Sequence, residues 1–261
     1  QVLVQIHRSG ICGAQINEIA GTKGEDKFLP HLLGHEGGGV VLEIGPGVTQ
    51  VQKGDHVVLH WRKGAGIHSQ APKYKWGNRV VNAGWVTTFS ECAVVSENRV
   101  TPIPAEIPLR EAALLGCAIP TGFGMVWHTA GVQSGNSVAV FGAGGIGLSA
   151  VMAARLRQAN PIVAIDILES KLEHAKRLGA THTIHTQNED SRSTIMKLTS
   201  GRGVDFSFES AGRQETMETA FRVVKERGGL CILAGNLSPL DRIQLDPFDL
   251  IKGKRIVGTW G

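Results

Sequence analysis

Neither charge nor aromaticity dominates this chain of 261 residues. Aromatic residues make up only 5 %, with a single tyrosine, and charged residues 19 %. Lys+Arg total 27 against 23 Asp+Glu, so the formal net charge is only +4. Basic pairs such as Lys176-Arg177 and Lys254-Arg255 are scattered and read as solvated faces, which excludes a nucleic-acid footprint. No apolar run approaches the ~18 residues of a membrane-spanning helix, and nothing near Gln1 resembles a signal peptide. Cysteine is scarce: Cys12, Cys92, Cys117 and Cys231 lie far apart, without the dense spacing of a disulfide-stapled secreted domain. A reducing cytoplasm is therefore the expected compartment, with the thiols left as core residues or metal ligands. Hydrophobic residues at 42 % are enough to build a real core, and disorder is excluded. At ~150 residues per domain, the length predicts two domains or one large one.

Glycine is in excess. Its 34 occurrences are about 13 % of the chain, against a usual ~7 %. They cluster at 34–47 and 142–147, where tight turns and close backbone approach need them.

The two halves differ in pattern. Up to about Pro120 short β runs alternate with turns: 2–6, 39–44, 56–59 and 91–95, with Gly45-Pro46-Gly47 and Lys53-Gly54-Asp55 as turn signals. No strong 3.6-residue period is present there, and 61–85 reads as a long surface loop. After Thr121 strands and helices alternate. Strands are predicted at 137–141, 162–166, 204–208, 230–234 and 255–258, and helices at 147–159, 169–178, 194–198 and 215–224. Alternation of this kind predicts a parallel sheet covered on both faces. The expected fold class is α/β with a β-rich domain: domain 1–120, then a doubly wound parallel-sheet domain, 121–261. No internal repeat is evident.

Gly142-Ala143-Gly144-Gly145-Ile146-Gly147 follows a predicted strand, opens a helix and lies 19 residues before Asp166 at the end of the next strand. That is the context of a dinucleotide site. Gly142 permits the turn, Gly144 admits the pyrophosphate and Gly147 lets helix pack on strand, while the helix N-terminus offers free N–H groups. Asp166 would accept from the adenosine ribose hydroxyls and repel a 2′-phosphate, favouring NAD over NADP; the alternative is a cap for the next helix. Lys171 either reaches the ribose or is a solvated helix residue. In the first half, Cys12, His35 and Cys117 offer two thiolates and an imidazole, the donor set of a catalytic zinc with one open position. Their long spacings leave open the other reading, small buried thiols.

The run 34–48, Gly34-His35-Glu36 through Gly45-Pro46-Gly47-Val48, resembles the zinc signature G-H-E-x2-G-x5-G-x2-V of medium-chain alcohol dehydrogenases at every fixed position. Gly54-Asp55-His56-Val57 is similar to that family's Gly-Asp-Arg-Val turn, and 112–117 with Thr121-Gly122 resembles its third-ligand segment. Covering essentially the whole chain, the resemblance implies a GroES-like catalytic domain followed by a Rossmann domain. It implies one catalytic zinc on Cys12, His35 and Cys117, with Glu36 beside it or as a transient fourth ligand. It places Thr121 and Ile146 at the nicotinamide, Gly145 in the phosphate loop and Trp61 in the substrate pocket. The implied reaction is hydride transfer between a primary or secondary alcohol, polyols and sugars included, and NAD, giving aldehyde or ketone. The rivals are a zinc-free quinone or enone reductase of the same superfamily and a non-catalytic nucleotide-binding protein. A homodimer or homotetramer, without nucleic-acid or membrane partners, is expected.

Three departures from the family pattern stand out. Ala14, Gln15 and Asn17 occupy positions where the family usually has a proton-passing Ser or Thr, an Asp that orients the zinc-bound His, and a relay His. His60, next to Trp61, is the substitute candidate, with a satisfied structural role as its alternative. The segment 62–84 has none of the four cysteines that hold a structural zinc in many relatives, so one zinc per chain is expected. The resemblance also implies further residues before Gln1 and after Gly261.

Overall fold

Alternating burial along β1 (Val2–Ser9), with Val2 and Val4 buried, sets the first core. After a short helix α1 (Gly13–Ile19) come β2 (Glu36–Ile44), β3 (His56–His60), β4 (Lys73–Trp76), β5 (Arg79–Asn82), β6 (Cys92–Val95), β7 (Val100–Ile103) and the single turn α2 (Leu109–Ala112). β6-β1-β2-β3-β7 form an antiparallel sheet over Val41, Val57, Leu59, Val95 and Val100. The computed structural model describes every residue except Lys23, Pro239 and Gly261; the last is also the end of the expected second domain. Contacts divide the chain into two units, 1–118 and 119–261.

Besides β7 and α2, which the sequence reading did not include, two features of the first unit differ from it. The segment expected as one long loop carries a hairpin, β4–β5, turning at Gly77-Asn78 with Gly77 at φ +58°. A two-residue turn with a glycine at positive φ is a hairpin signal. It is hidden because these strands bury almost nothing and so show no apolar alternation. Helix α1 escapes a periodicity search for a similar reason. Its one buried side chain is Gln15, while Ile16 and Ile19 face outwards. The triple glycine of β2 lets α2 lie directly on the sheet, since a Cβ at Gly38 would strike the Leu109 carbonyl.

The second unit contains α3 (Ala118–Gly124), a π-helical turn at Met125–Thr129, β8 (Val138–Phe141), α4 (Gly145–Leu156), β9 (Ile162–Asp166) and α5 (Glu169–Leu178). These are followed by β10 (His182–His185), α6 (Ser191–Leu198), β11 (Phe206–Glu209), α7 (Gln214–Arg222), β12 (Leu230–Leu233), α8 (Pro247–Ile251) and β13 (Arg255–Gly258). All six strands run parallel in the order β10-β9-β8-β11-β12-β13. In order of appearance that is 3-2-1-4-5-6, the Rossmann arrangement, whose ligand crevice opens between its first and fourth strands. Apolar clusters cover both faces: Val138, Val140, Ala150 and Phe208 in one, Phe141, Ile165, Ile184 and Phe221 in the other. Predicted elements match to within a few residues, the usual uncertainty at ends. Elements β10, α3 and α8, which the sequence reading did not include, are short.

Candidate active site

Three strand ends meet at one edge of the first sheet. β1 closes at Ser9 opposite Gly37, and β2 opens at Glu36 opposite His60, the last residue of β3. Cys12 is thereby delivered just beyond β1, His35 just before β2 and Trp61 just after β3. The fourth approach is the 3-10 turn Ala113–Gly116, which ends at Cys117. That turn can come so close because Gly116 has no side chain. A Cβ there would lie 2.7 Å from the Glu36 Cβ and press on the Leu59 carbonyl. The Glu36 carbonyl is pinned by the hydroxyls of Ser9 and Thr88, each donating at 3.0 Å. Gly34, at φ +91°, bends the chain into this arrangement.

The Cys12 and Cys117 sulfurs and one His35 ring nitrogen lie within 4.8 Å of one another. The two thiols share one contact, and it splits them. A hydrogen bond from Cys117 and the neighbouring His35 ring pull the Cys12 thiol down to about 4. Cys117, donating to Cys12 and buried, is pushed well up. The Trp61 side chain hydrogen-bonds the Cys117 sulfur. His35 Nε2 is buried and has no hydrogen-bond partner among the described residues, whereas Nδ1 lies 2.6 Å from the Gln15 carboxamide. A buried nitrogen without a partner calls for an explanation. Two sulfurs at metal-binding distance supply one, and the residues therefore fit a zinc ion. Glu36 is buried beside them with Oε2 unpartnered, and burial lifts its carboxyl to about 7.

A second potential metal group, Glu18, Asp26 and His31, is internally satisfied. His31 Nε2 is 2.7 Å from Asp26, and Nδ1 is 2.8 Å from the Leu32 carbonyl. His60 is likewise occupied at both nitrogens, at 2.8 Å from the Arg62 carbonyl and 2.9 Å from the Thr101 hydroxyl. Burial lowers its pKa. Thus the ring has no free nitrogen for a substrate proton, and its position explains the path of the following loop instead. Ala14 and Asn17 flank Gln15 on α1.

In the second unit, the glycines of 142–147 fit a dinucleotide. Gly142 has φ +90°, and a Cβ at Gly147 would collide with the Gly142 carbonyl and reach within 2.8 Å of the Ser210 Oγ. Gly144 faces open space and caps α4 without a side chain, so the first N–H groups of α4 lack a side-chain partner there. Asp166 binds this loop: Oδ2 accepts from the Ala143 N–H at 2.7 Å, and Oδ1 from the N–H groups of Ile167 and Leu168 at 2.8 and 3.0 Å. Lys171 Nζ stands 3.9 Å from Oδ2. Gly122 of α3 lies against the Ile146 carbonyl, which brings buried Thr121 near the start of α4.

Residues 1–105 match the alcohol dehydrogenase GroES-like domain family, and residues 145–261 the zinc-binding dehydrogenase family. The chain is 37 % identical to an S-(hydroxymethyl)glutathione dehydrogenase of Synechocystis, over 99 % of this chain and 77 % of that protein. It is 32 % identical to a class-3 alcohol dehydrogenase of Pisum sativum, over 99 % and 75 % of the two. Among solved structures, benzyl alcohol dehydrogenase from Acinetobacter calcoaceticus superposes with a TM-score of 0.88 at 32 % identity, over 99 % of this chain and 76 % of that one. A quinone oxidoreductase from Pseudomonas syringae reaches 0.78 at 25 % identity, over 99 % and 71 %. No helix among the described residues is long and apolar enough to cross a membrane. With a GroES-like unit, a Rossmann-type unit and whole-chain relatives of this kind, the chain belongs to the zinc-binding alcohol dehydrogenase family, oxidoreductases that work in general with zinc and NAD.

Proposed function

We propose that Cys12, His35 and Cys117 hold a single catalytic zinc ion per chain, with Glu36 beside it, and that the enzyme interconverts primary or secondary alcohols, polyols and sugar hydroxyls included, with their aldehydes or ketones. The observation that carries this reading is a His35 ring nitrogen within 4.8 Å of two sulfurs, on a ring whose buried Nε2 has no hydrogen-bond partner among the described residues. A zinc-free quinone reductase would not need that donor set. When bound, zinc supplies Lewis acidity for the alcohol oxygen and NAD supplies the hydride acceptor.

The chain's own residues do the rest. Gln15 fixes the His35 ring. With the carboxamide turned so that Oε1 accepts from Nδ1–H, Nε2 is left as the lone-pair nitrogen and the buried Oε1 gains a partner. Trp61 hydrogen-bonds the Cys117 sulfur. Water takes the alcohol proton outwards, because Ala14 has no hydroxyl and both His60 nitrogens are engaged. In the nucleotide unit, Gly144, Gly145 and the start of α4 receive the pyrophosphate, Asp166 with Lys171 meets the adenosine ribose, and Thr121 and Ile146 border the nicotinamide. The boundary between the two functional domains falls at 120/121, the compartment is the cytoplasm, and the assembly is a homodimer or homotetramer.

Metal analysis of the purified protein tests the first claim. One zinc per chain is expected, falling below ~0.1 in Cys12→Ser and His35→Gln. Two tightly bound zincs, or full zinc retention in His35→Gln, refutes it. An alcohol panel with NAD tests the second.

A further inference from the structure

Glu209 is buried completely, at 0 % exposure, and the mechanism above gives it no role. It closes β11, level with Phe141 at the end of β8 and with Leu233 at the end of β12. Its Oε1 accepts from the N–H groups of Ala211 and Gly212 at 3.0 and 2.9 Å and from the Thr216 hydroxyl at 2.7 Å. Oε2 is buried with no hydrogen-bond partner among the described residues. Nor does any cation among them pair with the carboxylate: Arg213, four positions on, turns its side chain to Glu215. Cys231 on the adjoining strand stays neutral, since burial pushes its thiol up to about 12 and Glu209 adds to that. A buried carboxylate with no opposite charge is costly and calls for a reason.

The carboxyl sits where three crevice loops converge. Ser210 donates to the carbonyls of Phe141 and Gly142 at 3.1 and 2.8 Å. A Cβ at Gly142 would lie 2.8 Å from the Ala211 nitrogen, and one at Gly235 would lie 2.5 Å from the Glu209 Oε2. The loops after β8, β11 and β12 therefore meet through bare backbone, with this acid among them. Neighbouring strands run in the order β9-β8-β11-β12. A dinucleotide lies across the carboxyl ends of the strands at such a switch point. With the pyrophosphate at the start of α4 and the ribose acid Asp166 at the end of β9, the adenosine half takes the β9 side. The nicotinamide half is left to the side of β11 and β12, where Glu209 stands.

Oxidised nicotinamide is a cation and reduced nicotinamide is neutral, so a fixed negative charge nearby distinguishes them. Opposite unit charges ~10 Å apart attract by an energy worth more than a tenfold factor at an effective dielectric of 20. Burial pushes the Glu209 carboxyl up, and hydrogen bonds from 211–213 and Thr216 oppose that; a bound pyridinium favours the ionised form further. We propose that Glu209 is a specificity-determining residue for the cofactor's redox state, its buried carboxylate holding NAD more tightly relative to NADH than an uncharged floor would. The inference deepens the NAD reading and rests on it.

Calorimetric titration of the zinc-loaded full chain with NAD, NADH and ADP-ribose, which lacks the nicotinamide, tests it. Glu209→Gln keeps an acceptor oxygen and the size of the side chain but removes the charge. In that variant the Kd of NAD divided by that of NADH should rise at least about fivefold, with the ADP-ribose Kd within about twofold of the wild type. Glu209→Asp keeps the charge and should hold the ratio within about twofold of the wild-type value. A residue that only braces the loops would weaken NAD and NADH together, so an unmoved ratio in Glu209→Gln overturns the proposal. If Glu209→Gln does not fold, the wild type decides with benzamide adenine dinucleotide, whose ring has the shape of nicotinamide without its charge. NAD should bind at least about fivefold tighter than this neutral analogue, and equal affinities overturn the proposal. Failure of the wild type to bind any of these ligands would overturn the cofactor reading and the proposal with it.

Discussion

Replacing Asp166 with glycine removes a carboxylate that serves the fold and the proposed cofactor at once, and the two losses separate by assay. The side chain accepts three main-chain N–H bonds, from Ala143, Ile167 and Leu168. Ile167 and Leu168 are about half exposed, so water replaces most of what they lose. Ala143 is 1 % exposed, and its N–H is stranded. Leaving one buried donor unsatisfied costs about 1–3 kcal/mol, and two bonds partly replaced by water add about 1 kcal/mol. Glycine's extra backbone freedom adds roughly 0.5–1 kcal/mol. The sum is about 3–5 kcal/mol, a Tm decrease of roughly 6–20 °C for a protein of this size. The same carboxylate would stand near a 2′-phosphate. Two like unit charges ~4 Å apart repel by about 4 kcal/mol at an effective dielectric of 20. Lys171, 3.9 Å away, offsets part of this. Even one-third of that energy is about a tenfold factor, so Asp166→Gly should raise the NADP/NAD ratio of kcat/KM at least tenfold. Asp166→Asn should melt between the two, because its amide keeps an acceptor for Ile167 and Leu168 but turns a donor towards Ala143. Thermal melts and paired cofactor kinetics measure both effects. A Tm within 2 °C of the wild type would refute the hydrogen-bond accounting, and an unchanged cofactor ratio would refute the ribose assignment.

Gln15→Ala should weaken zinc binding about 10–100-fold, since the partner that orients His35 is lost; competition with a chelator measures it, and an unchanged affinity would remove Gln15 from the site. Gly116→Ala forces a Cβ against Glu36 and the Leu59 carbonyl; overpacking of this kind costs about 1–3 kcal/mol, and the variant should melt lower and hold less zinc. His31 is the pH-dependent case. Burial lowers its pKa, but the Leu32 carbonyl and the Asp26 and Glu18 carboxylates outweigh burial and raise it above the ordinary 6.5. A raised folded-state pKa gives stability that is complete below the unfolded value and fades as pH climbs through the folded one. The Tm gap between the wild type and His31→Asn should therefore be widest below pH 6.5 and narrow as pH rises above it; a gap that grows with pH would contradict the ion pair.

The sequence by itself determined what repeats at short range. Buried β runs alternating with helical ones specified the parallel sheet, because the side-chain period follows backbone geometry. The glycine spacing of 142–147 and the acid at 166 were legible because a phosphate loop is one turn and its neighbouring strand. The tertiary structure alone decided what depends on distant residues meeting. Cys12, His35 and Cys117 span more than a hundred positions, and only strand register and a missing Cβ at Gly116 bring them within 4.8 Å. Gln15 was legible as a partner for His35, but the occupied nitrogens of His60 were not, since each hydrogen bond joins atoms that no local pattern relates. Arg99 is the extreme case: in sequence it is one more basic residue, and only the fold leaves it 2 % exposed with no carboxylate paired to it among the described residues.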